Sequence, residues 1–131
     1  MLIDHLNLTV RDFGESADWY RRVFGFEVVE DKRDASGARW GVLRCGDALL
    51  CIYEHPELRM EDEPEGIHRV NHFGLRISDR AAWEATMGRE GVVAGYGGAV
   101  RWPHSTAWYV TDPTGWEIEV ALWDGNRVAF G

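Results

Sequence analysis

Ile3-Asp4-His5-Leu6-Asn7-Leu8-Thr9-Val10-Arg11-Asp12 aligns without a gap on Val70-Asn71-His72-Phe73-Gly74-Leu75-Arg76-Ile77-Ser78-Asp79. An echo of this kind marks a duplicated supersecondary unit. It also places a histidine at the same point of each copy. Both copies alternate in polarity, which is the signature of a strand with one buried face. Leu6, Leu8 and Val10 lie on one side, with His5, Asn7 and Thr9 on the other. In the second copy Phe73, Leu75 and Ile77 oppose His72, Gly74 and Arg76. A core claims the apolar stripe, so both histidines are expected on the open face.

Each strand runs into a helix start. Asp12 with Glu15 three residues on is an Asp form of the capping box, and Gly25 is a C-terminal stop. Asp79 plays the same part for a second helix, closed by Gly88 or Gly91. Three strands are expected after each helix, near 26–31, 39–44 and 48–54, and then near 92–96, 105–111 and 116–123. Their turns are signalled by Ser36-Gly37, Gly46-Asp47, Gly97-Gly98 and Asp112-Pro113-Thr114-Gly115. The result is an α+β fold of two tandem βαβββ modules within one domain, 1–131. Module one is 1–54, an acidic linker is 55–68, and module two is 69–131.

The formal charge is −8 at pH 7. That balance opposes nonspecific affinity for nucleic acid or anionic membrane. With no long apolar run and no signal-peptide pattern, a cytoplasmic location is expected. Cys45 and Cys51 are too few for a disulfide framework and are read as free thiols. Seven tryptophans can fill a core or line a pocket.

The expected last strand puts Trp116, Ile118, Val120 and Leu122 on its apolar side and Glu117, Glu119 and Ala121 on the other. Tyr109 likewise opposes Trp108 and Val110. If the modules pair about a pseudo-twofold axis, His5 and His72 share a surface that Glu119 can join. Two imidazoles and a carboxylate suit Fe(II), Mn(II), Ni(II), Co(II) or Zn(II). A metal so held can take two neighbouring oxygens of a small-molecule substrate and stabilise charge developing on them. Glu117 is a rival to Glu119 on the same face, and His68 is a rival to His72. His55, in the linker, is expected to be exposed.

The chain resembles the vicinal oxygen chelate superfamily, which includes glyoxalase I, extradiol dioxygenases, fosfomycin-resistance enzymes and bleomycin-binding proteins. The landmarks are residues 3–10, Trp19-Tyr20-Arg21-Arg22-Val23-Phe24-Gly25-Phe26, Asn71-His72-Phe73-Gly74-Leu75 and Asp112-Pro113-Thr114-Gly115-Trp116-Glu117-Ile118-Glu119. The resemblance implies curved mixed sheets and maps the metal ligands onto His5, His72 and Glu119. It further implies a homodimer with sites between modules. The fourth ligand of glyoxalase I, a glutamate, falls on Cys51, which argues against glyoxalase I activity. The lysine- and serine-rich loop of fosfomycin-resistance enzymes has no match at 97–105. What remains is the three-ligand set of the dioxygenases, with Tyr109 as the tyrosine that assists substrate binding.

Arg101 and Trp102 are expected to bind substrate, the first through a carboxylate and the second by stacking. Tyr109 and His104 are the candidate catalytic residues, His104 as a mover of protons. The leading expectation is a divalent-metal-dependent enzyme of the glyoxalase or dioxygenase type. The alternative is a metal-free protein that binds a drug or metabolite, like the bleomycin-resistance proteins.

Overall fold

The computed structural model describes residues 4–58, 72–125 and Val128. Ile3, His68, Val70, Asn71 and most of the linker lie outside the described residues. The chain divides into two compact units, Met1–Glu65 and Gly66–Gly131.

In the first unit the order is β1 (Leu6–Val10), α1 (Phe13–Phe24), β2 (Glu27–Arg33), β3 (Arg39–Cys45) and β4 (Ala48–Glu54). The four strands form one mixed sheet, ordered β1-β4-β3-β2. β1 pairs with β4 in parallel, and the other neighbours are antiparallel. The second unit repeats this plan with β5 (Phe73–Ile77), α2 (Arg80–Glu90), β6 (Val100–Trp102), β7 (Ser105–Thr111) and β8 (Glu117–Trp123), ordered β5-β8-β7-β6. The two βαβββ sheets are those the duplication predicts.

The caps form as read. The Asp12 carboxylate accepts from the Glu15 amide at 2.7 Å, and Gly25 turns the chain out of α1 at φ 74°. A cap of this type is worth about 1 kcal/mol. Asp79 accepts from the Ala82 amide at 3.0 Å. α2 runs through Gly88 and stops at Gly91, φ 65°. Glu54 lies off the open face. Its carboxylate accepts from the Phe13 amide at 2.9 Å, at the positive end of α1.

α1 buries Phe13, Ser16, Ala17, Tyr20 and Val23, a spacing that keeps one stripe of the helix against the sheet. With Leu8, Val10, Phe26, Leu43, Leu50 and Ile52 they form a core exposed by no more than 6%. Gly41 is forced by this packing, since a Cβ there would stand 2.7 Å from the Phe13 ring and overlap the Glu30 carbonyl oxygen. In the second unit Trp83, Trp108, Val110, Ile118 and Val120 are buried.

One strand is displaced from its expected place. Residues 92–96 are irregular, and the edge strand of the second sheet is β6 at Val100–Trp102. Tyr96 at φ 55°, Gly97 at 79° and Gly98 at 112° exclude extended backbone. The loop instead hangs on the sheet by the Gly95 amide, which donates to the Tyr109 carbonyl at 2.8 Å.

Candidate metal and substrate site

The open face of the second sheet is built by register. Glu119 of β8 pairs with Gly74 on one side and Tyr109 on the other. Directly paired residues share a sheet face, so the carboxylate and the phenol emerge together. His72 precedes β5 and reaches the same surface. Its Nε2 lies 3.2 Å from Glu119 Oε2, and its ring meets Tyr109 edge-on at 5.6 Å. Glu117, two residues before Glu119, faces the other ring nitrogen, with Oε1 3.7 Å from Nδ1.

A cavity of about 290 Å³ opens here, lined by His72, Glu119, Tyr109, Trp102, Pro103 and Trp123. Its walls are largely aromatic, with His72, Glu119 and Ser105 as the polar members. Burial pushes the Tyr109 hydroxyl above the usual phenol range. A hydrogen bond from Trp102 opposes that shift, while the charges of Glu119 and Glu117 and a bond to Glu119 reinforce it. Tyr109 is therefore a protonated donor at neutral pH.

The sequence-expected site residues separate. His72, Glu119, Tyr109 and Trp102 come together. Arg101 does not join them. It pairs with Thr106, whereas Trp102 pairs with Ser105, so the two neighbours face opposite sides of the sheet. The Arg101 guanidinium is held by both carboxylate oxygens of Asp124. His104 lies in the exposed turn before β7, outside the cavity lining, and its carbonyl accepts from the Asp124 amide.

His5 belongs to the first unit. Its Nδ1 contacts the Asp4 carboxylate at 2.9 Å. Cys51 pairs with Asn7 and Val42, the counterparts of Gly74 and Tyr109. It occupies the place in the first sheet that Glu119 holds in the second. Burial pushes its thiol up, and the charges of Asp4 and Glu30 add to the effect. Cys45 and Cys51 are both free. Among the described residues no group of three His, Cys, Asp or Glu side chains is arranged to hold a metal ion. The second unit contributes two converging donors, one nitrogen and one oxygen. That donor chemistry fits a divalent metal.

Tyr96 is a participant the sequence reading passed over. Its hydroxyl donates to Glu117 Oε2 at 3.0 Å, and its ring lies 5.0 Å from that of Tyr109. The signal available in sequence was a bulky residue between Gly95 and Gly97, in a stretch otherwise fit for a turn.

Two βαβββ units, one bearing a histidine and carboxylate beside an aromatic cavity, define a class of paired-module proteins. The chain belongs to the Glyoxalase/Bleomycin resistance protein/Dioxygenase superfamily, which it matches over residues 2–120. No curated protein matches it. Among solved structures it is similar to a glyoxylase/bleomycin resistance protein/dioxygenase domain from Frankia sp. EAN1pec, with a TM-score of 0.80 and 16% identity over 97% of this chain and 95% of that one. It is similar to lactoylglutathione lyase from Agrobacterium tumefaciens, with a TM-score of 0.66 and 23% identity over 92% of each chain. The fosfomycin resistance protein FosX from Listeria monocytogenes, solved with Mn(II) and sulfate, gives a TM-score of 0.67 and 15% identity over 92% of this chain and 90% of that one. These likenesses are of fold. Among the described residues no helix is long and apolar enough to cross a membrane.

Proposed function

We propose that this protein is a divalent-metal-dependent enzyme acting on a small molecule, with His72 and Glu119 as ligands and His5 as the third. One observation carries the reading. The His72 ring lies between two carboxylates, with Nε2 3.2 Å from Glu119 and Nδ1 3.7 Å from Glu117. Ionised carboxylates only accept, and a neutral imidazole has one N–H. Nε2 of His72 and Oε2 of Glu119, 3.2 Å apart at the cavity, are a nitrogen and an oxygen close enough to hold one divalent ion together. FosX, a fold relative, was solved with Mn(II), which supports a metal in this role.

When bound, the metal supplies Lewis-acid stabilisation of negative charge on two neighbouring substrate oxygens. The chain's own groups do the rest. Trp102, Trp123 and Pro103 take the flat apolar body of the substrate and keep water from it. Tyr109, held protonated, donates to a substrate oxygen placed beside Glu119. Among the described residues none that lines the cavity is Lys or Arg, so its walls favour a neutral aromatic body over an anionic one. Arg101 and His104 are left out of this site. The proposed working form is a homodimer in the cytoplasm.

The test is metal uptake. Protein stripped with chelator is titrated calorimetrically with Mn(II), Fe(II), Co(II), Ni(II) and Zn(II). One ion per site is expected, lost in His72→Ala and Glu119→Gln and weakened in His5→Ala. No uptake of any of the five sinks the proposal. The aromatic walls favour a second reading, a metal-free drug or metabolite binder. That reading predicts ligand-induced quenching of tryptophan fluorescence that survives both chelator and Glu119→Gln.

A further inference from the structure

We infer that Arg76 and the cavity beside it form a subsite for a carboxylate carried on a side arm of the aromatic substrate. The inference rests on the aromatic cavity being the substrate site, as proposed above. It names the class of molecule taken there: a ring joined by a flexible arm to an acid.

The register of the second sheet places the subsite. Gly74 of β5 pairs with Glu119, and Arg76 pairs with Ala121. Directly paired residues share a face. Arg76 therefore lies on the open face, about 7 Å along the strands from the level of Glu119. Trp123, two residues past Ala121, lies on the same face and pairs with Ser105. A second cavity of about 180 Å³ opens there, and its lining includes Arg76, Ser78, Trp123 and Asp124. Trp123 also walls the aromatic cavity that holds Glu119 and Tyr109. The two cavities thus adjoin at one indole.

Charge decides what the second cavity takes. The Asp124 carboxylate is committed, since the Arg101 guanidinium holds both of its oxygens. Asp79, the next acid along from Ser78, is outside the lining and caps α2. Arg76 is exposed and makes no hydrogen bond or ion pair among the described residues. The cavity therefore carries one uncompensated positive charge, with the Ser78 hydroxyl as a further donor. A guanidinium in a concave site matches a planar carboxylate through two parallel N–H donors. The sequence points to Arg101 for that task, and the structure turns Arg101 onto Asp124 and leaves Arg76 for it. The charge lies past Trp123 and away from Glu119. A carboxylate fixed directly to the ring meets Glu119 and is repelled, whereas one on an arm of several bonds passes the indole to reach Arg76.

The experiment follows quenching of tryptophan fluorescence in the whole chain with chelator present, so that no metal takes part. The probes are benzoate, benzamide, 4-phenylbutyrate and 4-phenylbutyramide. 4-Phenylbutyrate should bind about 5-fold more tightly than its amide, while benzoate should bind no more tightly than benzamide. Raised salt should reduce the advantage. Arg76→Met should abolish it and leave the affinity for 4-phenylbutyramide unchanged, which also shows that the variant is folded. Arg76→Lys should retain part of it. An advantage that survives Arg76→Met would overturn the inference, and its loss in Arg101→Met alone would place the anion at Asp124's partner instead. Equal affinity for 4-phenylbutyrate and its amide in wild type would overturn it too, as would an equal advantage for benzoate. Absence of quenching by every probe would sink the subsite together with the aromatic cavity. Failure of metal uptake sinks the enzyme reading alone, because these measurements need no metal.

Discussion

Replacing Asp112 by Ala should destabilise the second unit by about 3–4 kcal/mol. Asp112 is 4% exposed, and its Oδ1 accepts from the amides of Thr114 at 2.9 Å, Gly115 at 2.8 Å and Trp116 at 2.8 Å. A hydrogen bond to a charged group contributes about 1.5–3 kcal/mol, and an orphaned buried donor costs about 1–3 kcal/mol. Three donors sharing one oxygen do not add fully, which brings the total to the stated range. Gly115 also donates to the Asp112 carbonyl at 3.1 Å and the Asp112 amide donates to the Trp116 carbonyl at 3.0 Å, so the turn retains two backbone bonds. This turn joins β7 to β8 and so maintains the pairing of Tyr109 with Glu119. Asp112→Asn keeps a carbonyl oxygen at the same place and should cost only about 1 kcal/mol. Urea unfolding followed by tryptophan fluorescence measures both, with the denaturant slope checking for a change in the transition. A loss below about 1 kcal/mol in the alanine variant would show that the three amides find other partners. An Asn variant as weak as Ala would show that the charge, and not the acceptor geometry, carries the turn.

Gly41→Ala should cost about 2 kcal/mol or more, because the new methyl overlaps the Phe13 ring and the Glu30 carbonyl. A urea midpoint equal to wild type would contradict that packing. Cys51→Ala should leave metal affinity unchanged, since the thiol is pushed up by burial and lies in an apolar strand. In the wild-type protein Cys45, which is exposed, should alkylate faster than Cys51 by mass spectrometry, and the reverse order would refute the burial argument. Asp31, Asp18 and Asp124 are held below the ordinary 3.8 by hydrogen bonds from Arg39, from Arg22 and Arg21, and from Arg101 respectively. Lowered carboxylates stabilise the fold above their unfolded value and lose that contribution as pH falls through the folded one. Stability should therefore drop below about pH 4, and equal urea midpoints at pH 5 and pH 3 would count against it.

The amino-acid sequence determined much of this protein unaided. The echo set two modules, Asp12 and Asp79 set the helix starts, and alternation put Glu119 and Tyr109 on one face. The same register assigned Cys51 to the position in the first sheet that Glu119 takes in the second. These readings succeed because side-chain direction in a strand has a local period of two. The second module's edge strand could not be read that way. Valines at 92 and 93 look like strand residues, yet the turn conformations at 96–98 exclude extended backbone. With the strand misplaced, Arg101 and Trp102 read as one wall, and only the pairing of β6 with β7 shows them on opposite faces. Tertiary structure alone decided the partition of Glu117 from Glu119. Which ring nitrogen each carboxylate faces depends on where His72 and Tyr96 arrive, and those residues come from distant parts of the chain.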